Sequence, residues 1–250
     1  MKQTHIEDVL PLEHDEAMER AAVELQRLLT VVDQLTDADW ESPTDCSEWT
    51  VRDMLGHLLG MWKLQADPSE RSRQIGAAAQ AAEQSGKLRI DELTALQVRE
   101  HRHLSPTQLR QALHDTAPRG LAARENVPPE VQAAPYDPEI PGEGMWTFGY
   151  LFDVIHTRDP WLHRADICRA TGRELVLSPE HDGRIVENVV AEWAAKHGQP
   201  FVLDLTGPAG GRYVAGPGGG AELSLDAIEF CRILSGRAPG TGLLATSVVF

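Results

Sequence analysis

Asp159 and His163, four residues apart in the stretch TRDPWLHRAD, are the first pair in this chain whose types and spacing could do chemistry. On a helix that spacing stacks both side chains on one face. The pair can be a surface ion pair, a satisfied core histidine, or two arms of a metal site. His156 lies three residues before Asp159, so His156, Asp159 and His163 share that face. Asp166 follows His163 by three and is placed to hold its second ring nitrogen, as carboxylates do behind metal-bound imidazoles. A salt bridge from Asp159 to Arg158 or Arg164 is the competing reading. Pro160 interrupts the pattern: it removes a backbone donor and is expected to kink or restart the helix.

A second histidine in an apolar context is His57, in VRDMLGHLLGMW. With Met54 three residues before it and Met61 four after, His57 lies on or at the edge of a buried stripe. An unpartnered buried imidazole costs on the order of 1–3 kcal/mol, so His57 needs a partner. Taken alone it reads as a hydrogen-bonded core histidine. Two imidazoles and a carboxylate on facing helices would instead suit a divalent transition metal, leaving positions open for water or substrate.

The elements that must position these residues are mostly helical. Asp15 to Leu35 carries apolar residues at helical spacing, and a loop, DADWESPTDCSEW, follows. Thr50 with Asp53 three residues on approximates a capping box, so the helix bearing His57 starts near Val51. Arg52 and Asp53 are accordingly read as a helix-start salt bridge and cap. Ser72 to Gly86 is either a helix or a lid-like loop. Asp91–His103 and Ser105–Thr116 read as helices, and Pro118 to Gly144 as a long connection. Trp146–Thr171 is helical and stopped by Gly172, and a further helix runs from Ser178-Pro179 to about His197. Beyond Gly198, FVLDLTG, GRYVAG and AELSL alternate as short strands, LDAIEFCRILSG is a helix, and GLLATSVVF reads as a final strand. The expected fold is therefore mainly α with a small α/β part: a helical bundle over residues 1–197, then an α/β domain over 198–250.

Bulk properties exclude several classes. The net charge of −15 and the absence of a basic patch argue against nucleic acid, and no apolar run approaches a membrane span. The acidic N-terminal stretch has no apolar core of a signal peptide, and Cys46, Cys168 and Cys231 are few and scattered. A cytoplasmic protein with structural cysteines is expected. Lysine is scarce beside arginine (Lys2, Lys63, Lys87 and Lys196 only), which hints at a GC-rich, actinobacterial genome. Trp49, Trp62 and Trp161 read as core or pocket wall. GPAGG and GPGGG lack a strand–GxGxxG–helix context and read as hairpin turns.

The segment SPTDCSEWTVRDMLGHLLG resembles the N-terminal signature of the mycothiol-dependent maleylpyruvate isomerase family, one of the DinB-like metal-binding bundles. RDPWLHRADICRATGR resembles the same family's second signature. The C-terminal part, ending FCRILSGRAPGTGLLATSVVF, is similar to its small α/β domain, related to sterol-carrier-type folds. The resemblance spans almost the whole chain. It implies a four-helix bundle and a metal triad of His57, Asp159 and His163, with Asp where the family has Glu. His156, one turn earlier, could substitute or join. It implies a divalent metal, commonly zinc, and mycothiol as thiol cosubstrate; the zinc-bound thiol, held as thiolate, attacks an electrophilic carbon. The expected activity is S-transfer to a small-molecule electrophile or thiol-assisted cis–trans isomerisation, by a monomer or homodimer. A hydrolase using metal-bound water, and a non-catalytic binding protein that kept the fold, are the alternatives. Arg212 and Arg237 are the cations that could reach an anionic group.

Overall fold

The chain, described by a computed structural model over residues 3–217 and 219–250, divides into two compact units. It enters as a strand, β1 (Gln3–His5), that belongs to the second unit. The first unit, His14–Arg173, is helical: α1 (His14–Gln34), α2 (Val51–Ala66), α3 (Pro68–Ser85), α4 (Arg89–His101), α5 (Pro106–Glu125) and α7 (His156–Thr171). Between α5 and α7 lie a single turn, α6 (Pro129–Gln132), and a two-residue ribbon of β2 (Pro135–Tyr136) against β3 (Trp146–Thr147). The stretch expected as one helix from Trp146 thus opens as a strand and a wide, π-type turn, Tyr150–Ile155, before α7 begins.

Helix α2 is the axis of this unit. Thr50 and Asp53 form the expected capping box, each side chain receiving the other's backbone N–H. Arg52 and Asp53 do not pair with each other: Arg52 reaches Glu41 and the Leu104 carbonyl, while Asp53 takes Arg102 at 2.9 Å. Twelve of the sixteen residues of α2 are buried, so its sides face protein all round, and His57 has no solvent side. Trp40, Leu55, Leu58, Leu109 and Leu113 fill the core around it. Helix α4 comes unusually near because Gly56 and Gly60 present no side chain to it. A Cβ on Gly60 would lie 2.4 Å from Gln97 Cγ. The ambiguous stretch Ser72–Gly86 is helix: Asp67 caps α3 through the N–H groups of Ser69 and Glu70.

Pro118 does not end its helix, and α5 runs on to Glu125. That extension delivers Arg124, which is buried. Pro160 in α7 has no N–H to give to the His156 carbonyl four residues back. Arg124 Nη1 donates to that carbonyl at 3.1 Å instead, and Nη2 donates to Thr157 Oγ1 at 2.7 Å. Helix α7 therefore passes through the proline without a break, from His156 to Thr171.

The second unit comprises the first thirteen residues and Glu174–Phe250. Its sheet runs in the order β1, β5 (Arg212–Ala215), β4 (Phe201–Thr206), β6 (Ala221–Asp226). The β4–β5 pair is antiparallel across the GPAGG turn, whereas β1–β5 and β4–β6 are parallel. GPGGG is not a hairpin turn, since it links strands on opposite sides of β4; its Gly218 lies outside the described residues. Helix α8 (Arg184–His197) belongs here too, because Trp193 is fully buried edge-on against Phe201 and Phe230 of the sheet side. The boundary thus falls at Arg173/Glu174 rather than at 197/198, and a strand at the chain's start completes the C-terminal unit. After α9 (Ala227–Leu234), the segment expected as a last strand joins no sheet. It makes a short turn, Gly242–Ala245, and its backbone is held by Trp193 Nε1 and the Leu234 carbonyl. Among the described residues no helix is long and apolar enough to cross a membrane.

Two outcomes follow. Arg124→Met strands the His156 carbonyl, and denaturant unfolding is expected to show a loss of about 3 kcal/mol with little change in slope. Burial pushes the Asp53 carboxyl up, but Arg102 and Thr50 outweigh it and hold it below its ordinary value. A carboxylate depressed in the fold stabilises above its unfolded pKa and loses that contribution as pH falls through the folded one. Asp53→Asn should therefore be less stable than the parent at neutral pH, the gap closing in strong acid; a gap independent of pH would contradict this.

Candidate metal centre

Three atoms from two helices converge at one point. His57 Nε2, from α2, lies 3.4 Å from Asp159 Oδ1, and His163 Nε2, one turn further along α7, lies 3.2 Å from the same oxygen. Pro160, between the two α7 residues, leaves them on adjacent turns because the helix is continuous there. Of the two competing arginines, Arg164 is engaged elsewhere, in a buried bidentate pair with Glu24 at 2.7 and 3.1 Å.

The far nitrogen of each ring is already used. His163 Nδ1 bonds Asp166 Oδ2 at 3.1 Å, the arrangement anticipated for Asp166. His57 Nδ1 bonds Gln97 Oε1 on α4 at 2.8 Å. Protons held at both Nδ1 atoms leave both Nε2 lone pairs aimed at a carboxylate oxygen. Three acceptors facing one another repel unless a cation stands among them. Burial pushes the Asp159 carboxyl up, yet the neighbouring imidazoles of His163 and His57 hold it well below the usual carboxylate range. Burial lowers His163, but Asp159 with Asp166 outweighs it and raises His163, so positive charge is favoured at this point. The three ligand atoms all lie within 4.8 Å of one another. Nitrogen and oxygen ligands about 2.0–2.2 Å from a tetrahedral zinc sit about 3.3–3.6 Å apart, close to the two separations seen here. The donor set fits a divalent cation.

The surroundings close two sides and leave one. The Trp49 ring lies 5.1 Å from His57 and 5.9 Å from His163, centroid to centroid. Trp49 is held there by a self-closed loop, in which Thr44 bonds the Trp49 carbonyl and Trp49 N–H bonds the Cys46 carbonyl. That loop is the SPTDCSEWT stretch. It also brings the Cys46 sulfur within 4.8 Å of ligand atoms of His163 and Asp166. The two histidine side chains are 4% and 5% exposed, whereas Asp159 keeps 20%, so access runs past the carboxylate. The shorter Asp still reaches both rings.

Residues outside this set have other work. His156 is buried beside Phe152, and burial, with Arg124 nearby, lowers it to about 3, so it is neutral. The convergent group is complete without it. Trp62 and Trp161 are core. Arg212 pairs with Asp204 inside its own sheet. Gln97 was not legible from residue type, since an amide in a helical stretch carries no chemical signature. Only its spacing opposite Gly60, which requires the structure, marks it.

Among curated proteins none matches this chain. Two crystal structures of a mycothiol-dependent maleylpyruvate isomerase share the fold. One, a histidine-to-alanine mutant, superposes with a TM-score of 0.59 at 17% identity. The other gives 0.57 at 18%. Each comparison covers 94% of this chain and 92% of the other. The model of the mycothiol maleylpyruvate isomerase N-terminal domain matches residues 21–168, a span that holds all three convergent residues and more than half of the chain. The chain belongs to the mycothiol maleylpyruvate isomerase N-terminal domain family.

Proposed function

We propose that this protein is a divalent-metal enzyme that uses mycothiol to act on an electrophilic small molecule, by isomerisation of the maleylpyruvate type. The observation that carries the reading is the convergence of His57 Nε2, Asp159 Oδ1 and His163 Nε2, with each ring's opposite nitrogen engaged by Gln97 or Asp166. A zinc ion held by those three residues would supply the positive charge that keeps a thiol ionised at neutral pH and leave a coordination position for it. The chain's own residues do the rest. Gln97 and Asp166 keep the two imidazoles aimed inward. Trp49 shields one side of the pair from water. The partly exposed flank of Asp159 is the side from which thiol and electrophile approach. Addition of a thiolate to a conjugated double bond turns it into a single bond that can rotate. Loss of the same thiolate restores the alkene as its isomer, whereas protonation of the adduct in place gives S-transfer.

Cys46, Cys168 and Cys231 form no disulfide among the described residues, which suits a reducing cytoplasm, and the protein works as a monomer or homodimer in this reading. Elemental analysis of protein from metal-supplemented growth should find about one divalent ion per chain, and His57→Ala should lose most of it while remaining folded. Metal content unchanged in that variant removes His57 from the set; no metal in the parent favours a binding protein that kept the fold. With metal present, turnover of a cis-configured unsaturated keto acid should require added mycothiol. Consumption without any thiol would point to water as the nucleophile instead.

A further inference from the structure

Behind His57 runs a chain of side-chain amides with every donor and acceptor accounted for. Gln97 Oε1 accepts from His57 Nδ1, and Gln97 Nε2 donates to Gln74 Oε1 at 2.9 Å and to Met61 Sδ. Gln74 Nε2 in turn donates to the Gly60 carbonyl at 3.1 Å and to Glu70 Oε1 at 2.9 Å. Both Gln74 and Gln97 are fully buried, so neither amide has water as an alternative partner. Amide groups can be turned end for end, but this chain has only one workable direction. A backbone carbonyl only accepts, and so does the Glu70 carboxylate, which Arg73 holds at about 2 and therefore ionised. The Gln74 NH2 must face them, and its oxygen must face Gln97. The Gln97 NH2 then faces Gln74, and its oxygen is left for His57.

We infer that Gln74 is a positioning residue for the metal centre: by orienting Gln97 it holds the His57 proton on Nδ1 and keeps Nε2 bare toward Asp159. Gln74 touches none of the three convergent residues. Gly60 serves the chain twice, lending its carbonyl to Gln74 and, by lacking a Cβ, leaving the space that Gln97 Cγ occupies. With Gln74 replaced by an apolar residue, Gln97 could turn its NH2 to His57. The ring would then carry its proton on Nε2, where it would have to be displaced before a cation could bind.

The inference rests on the metal reading above, so it is tested first in metal-free protein. Long-range 1H–15N correlation spectra at mildly alkaline pH report which nitrogen of each imidazole is protonated. In the parent, His57 should show Nδ1–H with a bare Nε2; a proton on His57 Nε2 in the parent overturns the inference without any variant. Gln74→Met should give a mixture at His57 while His163, held by Asp166, keeps its tautomer. Its affinity for Zn2+, measured by competition with a chelating dye, should fall about tenfold. Gln74→Glu separates orientation from packing. Ionised, or protonated toward Gly60, it still offers Gln97 an accepting oxygen, so His57 should keep the parent tautomer despite the stability lost. Equal loss of the tautomer in both variants, or none in Gln74→Met, defeats the inference. A correct tautomer in a parent that binds no Zn2+ upholds the orienting role and defeats only the metal reading.

Discussion

Asp159 stands between two imidazoles whose other nitrogens are already committed, and most of the helical unit serves to keep it there. A carboxylate buried beside one cationic histidine would be an ordinary ion pair. Here two rings approach the same oxygen at 3.4 and 3.2 Å, and each is restrained from behind. With each Nδ1 proton given to Gln97 or Asp166, both Nε2 atoms face the carboxylate as acceptors, a donor set that suits a cation. Burial alone would raise the Asp159 pKa; His163 and His57 beside it outweigh burial and hold it well below the usual carboxylate range.

Holding two rings in that way sets demands on distant parts of the chain. Helix α2 must be buried on all sides to fix His57, which in turn requires α4 near enough for a glutamine to reach it. Two glycines one turn apart make that approach. On the other side, the loop before α2 closes on itself through Thr44 and places Trp49 over both rings. These residues stand outside the convergent set, yet they pack or hydrogen-bond around its imidazoles. Pre-organisation of this kind lowers the cost of ordering ligands when a cation arrives.

The convergence at the centre was largely legible in the sequence because its signal is local: Asp159, His163 and Asp166 sit at helical spacings, and Thr50 with Asp53 announces where the His57 helix begins. The boundary between units was not legible, since it depends on β1, three residues at the far end of the chain, finding β5, and on Trp193 meeting Phe201. Neither contact leaves a local trace. The extension of α5 past Pro118 was missed for a related reason. A proline inside a helix is unfavourable taken alone, and only the buried Arg124 it delivers shows what the helix gains by continuing. GLLATSVVF has the composition of a strand, but its backbone groups find partners on α8 and α9 before any sheet edge. Gln74 and Gln97 illustrate the opposite case: their importance lies wholly in which way their amides point.

Pro160 gives helix α7 a mechanical property. One rung of the α7 ladder is supplied by a guanidinium from α5, so α7 cannot shift along its axis or fray at its first turn without breaking bonds to another helix. The loop that carries Trp49 is held differently, by turn hydrogen bonds rather than by a helix. A proline that looked like a threat to the spacing of Asp159 and His163 is, with Arg124, what makes that spacing stiff.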